Sequence, residues 1–87
     1  MYQLRLADKK VEKQLNDLPS TVFDRIDKSI LSLKTDPRPP GVRKLKSQTA
    51  VWRIRVGDYR ILYDIDDKKK IVIIIEIKHR REVYRYK

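Results

Sequence analysis

The chain contains no cysteine, a single histidine and no long hydrophobic run. Without cysteine it can form no disulfide and can use no thiolate, a composition that suits the reducing cytoplasm. The longest purely apolar run, Ile71 to Ile75, is far shorter than the roughly 20 residues that a membrane-spanning helix needs. The first residues, MYQLR, do not resemble a signal peptide. We therefore expect a cytoplasmic protein with no membrane contact.

Positive charge is the strongest bias in the composition. Lysine and arginine total 22 and aspartate and glutamate total 12 among 87 residues, which gives a formal net charge of +10. Such a surplus favours association with a polyanion or an acidic protein. The length allows one small domain, residues 1–87, with a small core.

The segment from Val51 to Ile65, VWRIRVGDYRILYDI, predicts a β-hairpin. Both arms alternate apolar and polar residues, as half-buried strands do. Gly57-Asp58 between them suits a tight two-residue turn, and such a turn places Val56 opposite Tyr59. The apolar face of this hairpin would then be formed by Trp52, Ile54, Val56, Tyr59, Ile61 and Tyr63.

The opposite face of the hairpin carries Arg53, Arg55 and Arg60, which we call the arginine cluster. Two arginines directly opposite each other destabilise a strand pair by up to roughly 1 kcal/mol, so folding alone gives no reason for them. A solvated surface with arginine stems lying on apolar neighbours is the simplest alternative. Because the guanidinium fork matches phosphate geometry, we favour a phosphate-binding site.

The preceding segments predict a strand and two helices. Tyr2, Leu4 and Leu6 alternate with polar residues, which indicates a short strand. Apolar residues at helical spacing follow, with Asp8 as the expected N-cap of the first helix and Ser20 of the second. The segment DPRPPG, residues 36–41, is a stiff linker to the sheet. The predicted fold is α+β: a two-helix antiparallel hairpin on a mainly antiparallel four-stranded sheet, in the order β-α-α-β-β-β, with a short C-terminal tail.

The last strand, Ile71 to Lys78, has two registers available. A three-residue loop that pairs Asp66 with Lys70 would place Glu76 opposite Arg60, and Lys78 on the same face. In that register the core side carries Ile71, Ile73, Ile75 and Ile77. Leu62, Val72 and Ile74 would be left on the outer face, covered by the tail or by a partner.

The C-terminal tail combines cations with aromatic rings: HRREVYRYK, residues 79–87. Cations can hold phosphate, and a ring such as that of Tyr84 can stack on an unpaired base. The alternative is a frayed, charged terminus.

Lys44-Leu45, then WRIRVGDYRILY, then HRREVY near the C-terminus resemble the RelE/ParE superfamily of toxins, and the tail points to its RelE-like branch. The resemblance implies a type II toxin that is a ribosome-dependent, metal-independent endoribonuclease. It would cleave mRNA in the A site by attack of the ribose 2′-hydroxyl and so inhibit translation, with no cofactor. Its implied partners are a cognate acidic antitoxin, the ribosome with mRNA in the A site, and operator DNA only as part of the toxin–antitoxin complex.

The resemblance also implies residue roles. Arg60 would hold the phosphate, Arg53 and Arg55 would flank the attacking hydroxyl, Lys78 or Arg80 would lie near the leaving oxygen, and Tyr84 would stack on or orient the base. Further RNA contacts are expected from Lys44, Lys46 and Arg81.

The acid and base assignments stay open, because an arginine remains protonated at ordinary pH and is a poor general base. His79 is a candidate for that role, although a lone histidine after a strand is more often packed or exposed. A ParE-like gyrase inhibitor, which shares the fold but is no enzyme, is the competing hypothesis, and a plain nucleic-acid-binding subunit is a third.

Overall fold

The computed structural model describes residues 1–44 and 51–79, in which two helices pack on one face of a five-stranded sheet. In chain order the elements are β1 (Gln3–Leu6), α1 (Lys9–Asn16), α2 (Ser20–Ser32), β2 (Arg43–Lys44), β3 (Val51–Val56), β4 (Tyr59–Asp66) and β5 (Ile71–His79). The strand order is β1-β5-β4-β3-β2. Only β1 and β5 are parallel among these neighbours; the other three pairs are antiparallel.

This architecture confirms the predicted α+β fold, with one more strand than expected. The additional strand, β2, has two residues and follows the proline-containing linker, so it shows no alternation that a sequence pattern could reveal. It pairs Arg43 with Arg53 and Lys44 with Trp52.

The two helices begin in different ways. The Asp8 side chain accepts a hydrogen bond of 3.1 Å from the Val11 backbone N–H, which confirms Asp8 as the N-cap of α1. The expected N-cap Ser20 is wrong: Ser20 is the first helical residue of α2, and Pro19 occupies the cap position without a side-chain bond. The Pro19 carbonyl instead accepts from the backbone N–H groups of Val22 and Phe23.

The core lies between the helices and the sheet. Buried residues from α1, α2 and the turn after α2 meet buried residues from β3, β4 and β5. They are Val11, Ile26, Ile30, Leu33, Ile54, Ile61, Tyr63, Val72, Ile74 and Ile77. Within the described ranges, neither helix combines the length and the apolar character needed to cross a membrane.

The β3–β4 hairpin has the register predicted from its turn. Val56 pairs with Tyr59, Arg55 with Arg60 and Ile54 with Ile61. Gly57 has a φ of +58°, and Asp58 after it is not among the residues with positive φ, which is the pattern of a type II′ turn. The alternation therefore separates an apolar face that packs on the helices from an outer face that carries the arginine cluster.

The predicted register of β5 is wrong. Asp66 pairs with Ile71, and a β-bulge interrupts the ladder between the pairs Tyr63–Ile74 and Leu62–Glu76. Val72 and Ile74 are therefore buried in the core rather than left on the outer face, and Ile75 is exposed. The sequence pattern misled because β5 has apolar residues at both parities before Glu76.

Polar contacts of Pro37 and Arg38 hold the linker against the sheet. The buried Tyr63 hydroxyl donates to the Pro37 carbonyl at 2.7 Å, and burial raises the pKa of Tyr63 to about 12. Arg38 forms a 2.9 Å ion pair with Asp67 and stacks 5.0 Å from the centre of the Trp52 ring. These contacts fix the chain immediately ahead of β2.

Candidate functional site

The outer face of the sheet, on the side away from the helices, brings the arginine cluster together. Arg55 is directly opposite Arg60, and Arg53 lies two residues from Arg55 on the same strand. Directly opposed residues in antiparallel strands have Cα atoms about 4.5–5.5 Å apart. The three guanidinium groups therefore leave the sheet from one small area, as the sequence predicts.

Arg60 has a buried donor that no described residue satisfies. Its side chain is partly buried, and its Nη1 atom is buried without a hydrogen-bond partner in the described part of the chain. Leaving such a donor unpaired is unfavourable for folding. A rotation of the guanidinium that brings Nη1 to a bound anion would remove that cost, which makes Arg60 well suited to hold a phosphate.

Lys78 joins the arginine cluster through the observed register of β5. It pairs with Arg60 across β4 and β5, so the sequence-based pairing of Arg60 with Glu76 is wrong. Glu76 instead pairs with Leu62, and its carboxylate lies 2.7 Å from the Lys78 ammonium, with both side chains 22% exposed. Lys78 thus lies opposite Arg60 in the sheet while its ammonium forms an ion pair with a carboxylate on the same strand.

Arg43 is a further cation at this site that the sequence analysis did not select. It pairs with Arg53 through β2 and is exposed, so it extends the arginine cluster toward the sheet edge. Its neighbour Lys44, predicted to contact RNA, pairs instead with Trp52 and places its ammonium 5.7 Å from the centre of that ring. Trp52 belongs to the helix side of the sheet, so alternation along β2 separates Lys44 from the arginine cluster.

His79 is not brought together with the arginines. It pairs with Tyr59 on the helix side of the sheet, and the two rings meet edge to face at 5.0 Å. Because neighbouring strand residues point to opposite faces, His79 and Lys78 diverge. This position gives no support to His79 as an acid or base at the arginine cluster.

Four other predicted site residues lie outside the described residues. They are Lys46, Arg80, Arg81 and Tyr84. Within residues 1–44 and 51–79, no three side chains of the types that usually bind metals are grouped around a common point.

An apolar area adjoins the cations on the outer face. It is formed by Leu62 on β4 with Ile71, Ile73 and Ile75 on β5, and Ile75 is 36% exposed. The helices pack on the other side of the sheet, so no described element covers this area. The outer face therefore has a basic part and, next to it, an area of isoleucine and leucine side chains bordered by Asp64 and Asp66, which pair with Ile73 and Ile71.

Comparisons with known proteins agree with this fold. Residues 3–84 match the family of ParE toxins of type II toxin–antitoxin systems, parDE. RelE1 of Methanocaldococcus jannaschii is 34% identical over 80 residues, which cover 88% of this chain and 89% of that protein. The mRNA interferase toxin RelE of Escherichia coli is 28% identical over 81 residues, which cover 88% of this chain and 84% of that protein.

A solved structure of a relative has the same fold. RelE in the archaeal RelE–RelB complex of Pyrococcus horikoshii superposes with a TM-score of 0.80 at 31% identity, covering 91% of this chain and 94% of that one. The family match spans nearly the whole sequence, and the relatives are RelE proteins. The chain therefore belongs to the RelE/ParE superfamily of toxins from type II toxin–antitoxin systems.

Proposed function

We propose that this toxin is a ribosome-dependent endoribonuclease that cleaves mRNA in the A site and thereby stops translation. The observation that carries the proposal is the convergence of Arg53, Arg55, Arg60 and Lys78 on one face of the sheet. The similarity to an mRNA interferase from Escherichia coli supports RNA as the anion that this face binds.

The chemistry needs no protein nucleophile and no metal, because RNA supplies its own nucleophile. The 2′-oxygen attacks the adjacent phosphorus, its proton is removed, and the bond from phosphorus to the 5′-oxygen breaks. The upstream fragment ends in a 2′,3′-cyclic phosphate, and the 5′-oxygen of the downstream fragment takes up a proton. The protein contributes by aligning the RNA and stabilising the charge that develops on the phosphate.

Each cation has a role that its position supports. Arg60, with its unpaired Nη1 atom, holds the phosphate, while Arg53 and Arg55 flank the attacking hydroxyl. Lys78 interacts with the leaving oxygen, a role that its pairing with Arg60 supports. Tyr84 and Arg80, from the tail, complete the site by stacking on the base and binding the leaving side. Lys46 and Arg81 add contacts to the RNA backbone.

The partner that inhibits the toxin is an acidic, amphipathic antitoxin. Its acidic side chains neutralise the arginine cluster, and its apolar side chains cover Leu62, Ile71, Ile73 and Ile75. The RelE of Pyrococcus horikoshii was solved in complex with RelB, which supports a partner of this kind. Together, toxin and antitoxin would bind operator DNA; the toxin alone would act in the cytoplasm, where translation takes place.

The test is a cell-free translation reaction to which purified toxin is added. We expect protein synthesis to stop and the message to be cut within the codon that occupies the A site. Intact messages at toxin concentrations that stop synthesis would overturn the proposal. A parallel supercoiling assay with gyrase identifies the alternative, since inhibition of gyrase without RNA cleavage would indicate a ParE-like activity.

A further inference from the structure

The bulge in β5 determines which of its side chains reach the arginine cluster. Ile74 pairs with Tyr63 and Glu76 with Leu62, so Ile75 is an additional residue on the β5 side of the ladder. Before the bulge Val72 and Ile74 are buried, and after it Ile77 is buried. The side chains that point to the core therefore change from even-numbered to odd-numbered positions across Ile75.

Without this extra residue, the alternation that buries Val72 and Ile74 would continue to Glu76 and Lys78. Both charges would then point toward the helices, and Ile77 would face solvent. With the bulge, both charged side chains reach the outer face, where they form their 2.7 Å ion pair and Lys78 lies opposite Arg60. Bulges are known to re-aim side chains in this way, often next to functional sites.

Gln14 holds the segment that follows the bulge. The pairing of β1 with β5 ends at Leu6 and Ile74, so further along β5 the strand β1 offers no acceptor. The Ile77 backbone N–H donates instead to Gln14 Oε1 at 2.9 Å. Gln14 is on α1, which packs against β5 from the helix side of the sheet.

We propose that Gln14 is a positioning residue for RNA cleavage, an inference that rests on the proposed function. Gln14 acts through Ile77 and the bulge to hold Lys78 opposite Arg60. Gln14 itself lies on the far side of the sheet from the arginine cluster and touches no RNA. Its hydrogen bond fixes the register of residues 76–78, and that register carries the Lys78 ammonium to the outer face.

The test compares Gln14→Leu, which removes the acceptor at similar volume, with Gln14→Glu, which retains an acceptor. Asn16→Leu, at an exposed position of the same helix, is the matched control. Single-turnover cleavage of mRNA on programmed ribosomes gives the maximal rate and the half-saturating toxin concentration separately. We expect Gln14→Leu to lower the maximal rate by about 10- to 100-fold with little change in half-saturation. Gln14→Glu should restore most of the rate, and Asn16→Leu should resemble the wild type.

A double-mutant cycle distinguishes positioning from general stabilisation. On a Lys78→Ala background, Gln14→Leu should have no further effect on the maximal rate, because the side chain that it positions is gone. The same loss on both backgrounds, or an unchanged rate in the single variant, would overturn the proposal.

Amide hydrogen exchange supplies a readout that does not depend on activity. Exchange at Ile77 should become faster in Gln14→Leu while core amides such as that of Ile61 keep their protection. If the wild-type toxin proves unable to cleave RNA, the proposed function fails, and retained Ile77 protection in Gln14→Leu would separately refute the role of Gln14.

Discussion

At the residue scale, Arg60 combines two features that oppose folding. It lies directly opposite Arg55, and its Nη1 atom is buried without a hydrogen-bond partner among the described residues. Both features are unfavourable in the free protein and become favourable when a phosphate is present. Residues under such conflicting demands are commonly found at functional sites.

This conflict predicts opposite effects of Arg60→Ala on stability and activity. The variant should unfold at a temperature equal to or above that of the wild type, while its cleavage rate should fall on the order of 100-fold. Thermal unfolding and single-turnover cleavage measure the two quantities. A variant that unfolds several degrees lower and still cleaves RNA would show that Arg60 has a structural role instead.

Tyr63 predicts a loss of stability at alkaline pH. Burial raises the pKa of Tyr63 to about 12 in the folded protein, against an ordinary value of 10.0. Because the folded state retains the proton to higher pH, the full contribution is present below about pH 10 and is lost as the pH rises toward 12. Between those values the free energy of unfolding should fall by up to about 1.4 kcal/mol per pH unit from this group.

Tyr63→Phe provides the comparison for this pH dependence. It should be less stable at neutral pH, because the Pro37 carbonyl loses the hydrogen bond from the Tyr63 hydroxyl. Urea unfolding between pH 8 and pH 11 should then show a smaller decline for the variant than for the wild type. Parallel declines in the two proteins would contradict the assignment.

At the element scale, the β3–β4 hairpin shows what the sequence can predict. A two-residue turn fixes which residues are opposite each other, so the pairing of Arg55 with Arg60 follows from Gly57 and regular alternation. The strand β5 shows where prediction of strand pairing from the sequence fails. Its isoleucines occur at both parities, and the residue that satisfies its exposed backbone, Gln14, comes from a distant helix.

The same limit applies to β2. Arg43 and Lys44 form a two-residue strand in which the pairing to β3, rather than any pattern, decides that Arg43 shares a face with Arg53. The chemistry of His79 suggests an acid or base, yet its place one residue after Lys78 turns it to the helix side of the sheet. Prediction of such sites from sequence needs the register of every strand.

The geometry of the hairpin turn predicts that replacing Gly57 lowers the stability of the protein. Gly57→Ala would place a Cβ atom at a φ of +58°, 3.4 Å from the guanidinium of Arg25. The positive φ alone costs on the order of 1–3 kcal/mol for an L-residue. Gly41→Ala, at a φ of +88° with no atom within 4 Å of the added carbon, is the control for strain without crowding. Denaturant unfolding should show a loss in both variants, and an unaffected Gly57→Ala would contradict the turn geometry.

The ion pair between Arg38 and Asp67 predicts a small loss of stability at acidic pH. The hydrogen bond from Arg38, followed by that from Tyr2, lowers the pKa of Asp67 below its ordinary value of 3.8. Because the folded pKa is depressed, this contribution is present above the ordinary aspartate range and is lost as the pH falls below it. Asp67→Asn should therefore weaken the acid dependence of unfolding, measured by urea titration between pH 5 and pH 2. Unchanged acid dependence would mean that the contact does not persist in solution.

At the scale of the whole molecule, the net charge and the arrangement of cations on the sheet both favour binding of a polyanion. The net charge of +10 attracts a polyanion over a distance, and the outer face of strands β2 to β5 carries five cations: Arg43, Arg53, Arg55, Arg60 and Lys78. The α+β class could be predicted from the sequence because alternation and turn residues are local signals, and the family followed from the resemblance of the motifs WRIRVGDYRILY and HRREVY to the RelE/ParE superfamily. The face that Lys78 occupies could be predicted as well, but its pairing with Arg60 could not, since that pairing depends on a bulge.

The charge predicts a steep dependence of RNA binding on salt. Each contact to a phosphate of single-stranded RNA contributes about 0.7 to the slope of log affinity against log salt. Arg43→Ala should reduce that slope by about this amount and weaken binding, with little change in the maximal cleavage rate. Arg5→Ala, on the outer face of β1 beyond the apolar area, is the control and should leave the slope unchanged. Equal slopes for Arg43→Ala and the wild type would remove Arg43 from the RNA-binding surface.

The most direct test of the central claim is the cleavage of end-labelled mRNA on ribosomes with a defined codon in the A site. The wild type should cut within that codon and leave a 2′,3′-cyclic phosphate, and Arg60→Ala should cut on the order of 100-fold more slowly. A message that stays intact with the wild type, or Arg60→Ala cutting as fast as the wild type, would contradict the account.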